Sequence, residues 1–431
     1  MRFRSGLVCL IALAGVFFLN AAAQADNWDR FRGPNGTGIA PDKNIPLKFS
    51  GTENVLWKAK IAGDGNSSPI VWGNRVFLQT ASLDGSDRSL LCFDTKTGKE
   101  VWKRTIPGVK VKFREDSSHA SATPTTDGQA VYIPFWDGKN IVMAAYDFQG
   151  EKLWERNFGE FVSQHGAGAS PILYKNLLIF YLDKDAHYDT KKKTKLVPDP
   201  SRLFALDKKT GKTVWEAPRE AIRACYSPPF ILDRPGAGPE LLVTSSTAIT
   251  SYDPMTGASN WYWTWKFAKG PLRTIGATVY ANGSLLACSG DGSGERLMVG
   301  VALKGQGKEV RPEQIWDNPK QFPYVPAPLI KGEHVYFVND GGVAGCFHAQ
   351  TGKQVWYERL PDAKFYASPV MIDGKMYAAS EQGEVFVIDV NTTFNLLATN
   401  SVGECIRATP AVANGRLYVR GQYHLYCIGS K

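Results

Sequence analysis

Along most of the chain, short apolar runs alternate with polar positions at a spacing of two and stop at Gly, Pro, Asn or Asp. This is the pattern of half-buried strands and tight turns, not of amphipathic helices. One phrase recurs throughout: a small residue and Pro, an apolar run, a turn, and a second apolar run. It is read in SSPIVWGNRVFLQT (67–80), ATPTTDGQAVYIPF (122–135), ASPILYKNLLIFYL (169–182), YSPPFIL (226–232), GATVYANGSLLAC (276–288), PAPLIKGEHVYFV (326–338), ASPVMIDGKMYAA (367–379) and ATPAVANGRLYVR (408–420). Asp373-Gly374, Asn282-Gly283 and Asn414-Gly415 join such runs with hairpin chemistry.

A second phrase follows the first: FDTKTGKEVW (93–102), YDFQGEKLW (146–154), LDKKTGKTVW (206–215), YDPMTGASNW (252–261) and FHAQTGKQVW (347–356), with looser copies ending at Trp316 and Leu397. Thr-Gly-Lys invites a phosphate-loop reading, but that loop needs a glycine five residues earlier and a helix afterwards. Leu206 occupies the glycine position and Thr213-Val214-Trp215 reads as a strand. Asp followed by Thr-Gly is turn chemistry, with the carboxylate accepting from backbone N–H groups and Gly taking a positive φ.

Together the phrases give strands A, B and C and an outer strand D ending at Trp, repeated about every 40–60 residues, the signature of a propeller. Eight A strands are present, yet the last unit has no strand D, and a strand without a partner, Val55 to Lys60, precedes the first A. Pairing the two removes an aggregation-prone open edge. The expected fold is all-β: an eight-bladed β-propeller of four-stranded antiparallel blades over 54–431, closed by the N-terminal strand and preceded by an extension at 26–53. Cys92, Cys346 and Cys427 share one repeat position that asks for a small buried side chain, so the cysteines are expected to be mostly unpaired core residues.

Residues 1–25 combine Arg2 and Arg4, an apolar run from Leu7 to Leu19 and an Ala-Gln-Ala site at 23–25, which reads as a secretory signal peptide. The mature chain is expected to be exported, periplasmic or secreted, and monomeric, with no segment long enough to span a membrane. Removing the two signal arginines lowers the net charge from +9 to +7. That modest excess, with no basic helix or interleaved aromatic motif, points away from nucleic acid.

The D-x-x-T-G-x-x-x-W repeat with its small-residue-Pro strand resembles the tryptophan-docked repeats of the pyrroloquinoline quinone (PQQ) dehydrogenase superfamily. The resemblance covers nearly all of residues 54–429 and implies that Trp57, Trp102, Trp154, Trp215, Trp261, Trp316 and Trp356 pack between neighbouring blades, with Leu397 departing from the pattern. It speaks to fold more than function. The alcohol dehydrogenases of the superfamily carry a vicinal disulfide, which this chain cannot make. The outer-membrane-assembly lipoproteins match in length and blade number but carry a lipobox that is missing here. Exported PQQ-like propellers that begin, as here, with NWDRFRGPNGTG (27–38) are a closer likeness.

Candidate chemistry belongs at the mouth of the central channel, on the D–A connections. Counting back from strand A places His119, Arg223, Arg273 and Lys364 there, with His165 and Arg407 one or two positions away and Tyr226, Tyr324 and Tyr366 beside them. Clustered cations in a concave mouth would attract an acidic small molecule, PQQ itself, an acidic glycan or an acidic segment of a protein partner. Acidic neighbours such as Glu115, Asp116, Glu160 and Glu404 would instead pair with them. The histidines lack zinc spacing and Asp291 to Glu295 reads as a turn, so no metal site is assigned. Trp263 and Trp265 offer a sugar platform. With no catalytic motif assembled, the leading expectation is a non-catalytic binding or scaffolding module. A PQQ- and calcium-dependent oxidoreductase of the alcohol or sugar dehydrogenase type is the alternative, and a carbohydrate-binding propeller a third.

Overall fold

In the computed structural model, which describes residues 27–112, 116–189, 194–197, 201–292, 294–305 and 309–430, eight antiparallel blades surround a central channel. The signal-peptide segment, Glu115 and Lys191 to Lys193 lie outside the described residues. The first blade shows the common plan: strand A at Ile70–Trp72, B at Arg75–Ala81, C at Asp87–Asp94 and D at Glu100–Pro107. Strands B and C are buried almost throughout, because each blade is packed on both faces by its neighbours, whereas strand D alternates. In the eighth blade the outer strand is Val55–Lys60, paired antiparallel with His424–Ile428, so the ring closes through the N-terminal strand. A small two-stranded hairpin, His187–Asp189 with Thr194–Val197, is inserted between strands B and C of the third blade.

The repeat phrase works as one device shared by two blades. Asp94 accepts the backbone N–H groups of Lys96 and Thr97 through Oδ1, and the turn then delivers Gly98 at φ +69°. A Cβ on Gly98 would sit 2.6 Å from the Trp57 ring of the preceding blade. Gly150, Gly211, Gly257 and Gly352 lie equally close to Trp102, Trp154, Trp215 and Trp316. Each of these indoles donates its Nε1–H to a carbonyl of the neighbouring turn, as Trp57 does to Thr95 at 2.8 Å and Trp154 to Lys208 at 2.9 Å. His348, standing where the other turns have Asp, accepts from Gln350 N–H through Nδ1 and does the same work.

On its other side each indole faces strand C of its own blade. The cross-strand partners are Cys427 for Trp57, Cys92 for Trp102, Ala145 for Trp154, Ala205 for Trp215, Ser251 for Trp261, Gly300 for Trp316 and Cys346 for Trp356. The small-residue position is therefore the floor under the docked ring, and the cysteines there are thiols, as are the other described cysteines. Trp261 departs from the pattern. Its Nε1–H goes to Glu240 Oε2, a buried carboxylate that also accepts from Ser251 and Arg234, because the fifth blade has no Asp and Thr-Gly turn to receive it. Trp263 and Trp265 are buried in the same cluster, which removes them as a sugar platform; Tyr262 is the exposed ring of that strand.

Candidate functional site

The extension ahead of the propeller lies across the channel. Trp28 exchanges backbone hydrogen bonds with Val71 in blade 1, and Asp29 O accepts from Thr126 N in blade 2. Asn35 bonds both backbone groups of Ile231 in blade 4, and Ile39–Ala40 adds a parallel inner strand to Val370–Ile372 of blade 7. Arg32 is fully buried and donates to Gly36 O, Thr37 O, Ala327 O and Pro328 O, the last two from blade 6. Among the described residues no carboxylate pairs with it, so burial lowers its pKa to about 9, which leaves it charged at neutral pH. This plug engages the later residues of strand A. The first residues of the same strands border a cavity of about 390 Å³, whose floor is Phe31 from the plug.

The Ser or Thr that precedes Pro in strand A staples the wall of this cavity. Ala327 N donates to Ser368 Oγ, Ser368 N to Thr409 Oγ1, Thr409 N to Ser68 Oγ, Ser68 N to Thr123 Oγ1 and Thr123 N to Ser170 Oγ, all between 2.9 and 3.1 Å. Each hydroxyl thus satisfies a backbone N–H of the blade before it, which matters because that group is buried and the following Pro supplies no donor. The series stops at blade 4. Ser227 does not border the cavity and its Oγ, buried, has no partner among the described residues, while Thr278 bonds Thr244 at 2.7 Å.

Of the nine residues placed at the mouth by sequence, His165, Tyr226, Tyr324, Lys364, Tyr366 and Arg407 line the cavity together, and His119, Arg223 and Arg273 do not. Lys364 meets Glu381 at 3.1 Å and Arg407 meets the same carboxylate at 2.7 Å. Both cations approach the Tyr366 ring, at 4.7 and 5.7 Å from its centroid, and the Tyr366 hydroxyl donates to Asp116 at 3.4 Å. Hydrogen bonding to Tyr366 raises the Lys364 pKa. His165 Nδ1 lies 3.3 Å from Ser117 Oγ, and Tyr226 OH bonds Ser163 and Gly166. Across the cavity stand Asp291, Arg296 and Asp340, which the loop register did not single out as a site. Asp340 accepts from Tyr324 N and Val325 N and faces Arg296 at 3.5 Å, while Arg296 Nη1 donates to two carbonyls and its guanidinium lies over Tyr324.

The three residues set apart have other duties. Arg273 is buried and holds Asp185 with two bonds of 2.7 and 2.8 Å. Arg223 is half-buried, and its backbone N–H donates to Ser246 Oγ at 3.1 Å. His119 stacks on Trp136 and accepts from Val111 N–H through Nε2; burial, reinforced by the Arg88 charge, lowers its pKa to about 4. The mouth is therefore a surface of mixed sign, with Lys364 and Arg407 at one corner and Arg296 across from them, not a basic ring. A PQQ and calcium pair does not fit this donor set. A tricarboxylate needs several free cationic contacts where Lys364, Arg407 and Arg296 each already face a carboxylate, and among the described residues no three His, Cys, Asp or Glu side chains are gathered for a metal.

The family model described as outer membrane protein assembly factor BamB matches residues 49–168, 139–394 and 310–419. Among curated relatives, the protein of that name from Shewanella oneidensis is 25% identical over 226 residues, covering 50% of this chain and 53% of its own. Tetrathionate hydrolase from Acidithiobacillus ferrooxidans is 26% identical over 223 residues, 48% of this chain and 41% of its own. The matches thus span about half or less of those relatives' length. The crystal structure of BamB from Moraxella catarrhalis superposes with a TM-score of 0.59 at 17% identity, over 87% of this chain and 99% of the other. Quinohemoprotein alcohol dehydrogenase from Comamonas testosteroni gives 0.53 at 13%, over 95% and 82%. At these identities the superpositions speak to fold alone.

Proposed function

This chain belongs to the PQQ-like family whose model is described as outer membrane protein assembly factor BamB, and from that premise we propose that it is an exported binding module, without turnover of its own, whose receptor site is the axial cavity. One observation carries the reading: a concave site of about 390 Å³, lined by three tyrosines and paired ionic groups and floored by the chain's own N-terminal segment. A pocket of this size with a few convergent polar groups is the ordinary form of a binding site. The cavity's cations Lys364, Arg407 and Arg296 each already face a carboxylate, and the one hydroxyl beside an imidazole that the described lining shows, Ser117 Oγ at 3.3 Å from His165 Nδ1, forms part of the polar wall. The name of one relative, outer membrane protein assembly factor BamB, supports a protein partner, and a partner in an exported compartment is consistent with the signal-like N-terminal sequence.

The test uses the mature protein carrying a photoreactive phenylalanine at position 366 or, as a control on an outer strand, at position 262. Discrete adducts from 366 and not from 262 are expected in the exporting cell. Equal adduct patterns from the two positions count against the cavity as receptor. Dye reduction that depends on PQQ, Ca²⁺ and an alcohol would overturn the non-catalytic reading.

A further inference from the structure

The cavity has two unlike walls, and they describe its guest. Blades 7, 8, 1, 2 and 3 present Ser368, Thr409, Ser68, Thr123 and Ser170, each 5% exposed or less. Every one of these hydroxyl oxygens accepts a backbone N–H, and none of the five donates its own hydrogen to an acceptor among the described residues. A hydroxyl offers one donor as well as its acceptor sites. The arc is therefore a run of buried O–H donors bordering the cavity, and its chemical complement is a group rich in acceptor oxygens. Lys364 and Arg407, both on Glu381, stand at the mouth on the same side, on the connections into blades 7 and 8.

Blades 4, 5 and 6 present Tyr226, Ile275, Tyr324 and Val325 instead. The ionic groups on this side answer one another, since Asp340 is held by two backbone N–H groups and Arg296, and Arg296 by Asp340 and two carbonyls. Rings and aliphatic groups facing a donor arc suit a flat apolar body with an anionic edge.

Resting on the binding-module reading above, we propose that the cavity takes a single carboxylate carried on a flat apolar body, as a free aromatic acid or as the aromatic last residue of a partner chain. One carboxylate suffices because the donor side has one cationic corner, Lys364 and Arg407 on Glu381, while Arg296 across the cavity is already held by Asp340. Charge-assisted hydrogen bonds from Lys364 and the arc hold the carboxylate, and Tyr226 and Tyr324 with Ile275 and Val325 hold the body.

The experiment titrates the mature chain with 4-fluorobenzoate and 4-fluorobenzamide by fluorine NMR, and with the peptide Ala-Ala-Ala-Phe as free acid and as C-terminal amide by calorimetry. Each acid is expected to bind about tenfold or more tighter than its amide, the loss of one charge-assisted contact. Lys364→Met, at a half-exposed side chain, is expected to shrink that preference to less than about threefold while weak amide binding persists. Preference for fluorobenzoate alone assigns the free acid as the source, and preference for both acids assigns the chain terminus. Equal binding of acid and amide, or no binding while adducts at position 366 persist, overturns the carboxylate assignment and leaves the binding-module reading standing. Quinone-dependent turnover would sink that reading instead.

Discussion

Gly211 and Gly403 share a left-handed backbone, φ +68° and +77°, and differ in what surrounds them. A Cβ on Gly211 would lie 2.6 Å from the Trp154 ring, whereas nothing lies within 4 Å of one on Gly403. Gly403→Ala is expected to cost about 1–2 kcal/mol, the conformational term. Gly211→Ala adds steric overlap on a docked indole and is expected to cost about 2–4 kcal/mol. Urea midpoints of the two variants separate the contributions, and equal losses would show that the glycine serves the turn and not the ring. His119 gives the second prediction at this scale. Its folded pKa of about 4 lies below the ordinary 6.5, because it is buried against Trp136 near Arg88. Below pH 6.5 the unfolded chain binds a proton that the native one refuses, so this contribution to stability is complete above 6.5 and declines as pH falls towards 4. His119→Phe is expected to flatten that slope, read as the urea midpoint from pH 7.5 to 4; an unchanged slope would assign it elsewhere.

At the scale of the element, the start of strand A is the part the repeat pattern did not explain. The Ser or Thr before Pro is visible as a small residue, but its hydroxyl becomes a staple only when the preceding blade brings a bare N–H beside it. Thr409→Val is expected to cost about 1–3 kcal/mol by leaving Ser368 N–H unsatisfied, while Thr409→Ser keeps the bond. A thermal melt in which Val and Ser behave alike would refute the staple. Strands, blade number and ring closure were legible because Trp, Gly and the small residue beneath the ring recur at fixed offsets, each demanding the others. The mouth was half legible. Counting back from strand A fixes a loop residue's height but not its direction, so Lys364 and Arg407 reach the cavity while Arg273 turns to Asp185. Arg296 and Asp340 border it from strand C and the B–C turn of blades 5 and 6, connections the repeat gave no reason to inspect.

For the whole molecule, the plug was the least legible feature, since a buried arginine such as Arg32 reads in sequence like any surface one. Arg32→Met is expected to cost about 3–5 kcal/mol, as several buried carbonyls lose a charged donor at once. Hydrogen exchange is expected to rise at Gly38 and Met371, where the parallel strand pairs, while the outer strand Gln354–Arg359 is unaffected. A uniform rise across all blades would mean that the segment is an inseparable part of the core. The wiring of that segment also has a temporal side. Arg32 reaches Ala327, 295 residues further along the chain, and Val55–Lys60 pairs with the still later His424–Ile428. Contacts so distant along the chain are slow to form. The outer strand of the eighth blade is therefore made before the other three strands of that blade and waits without its partner until they follow.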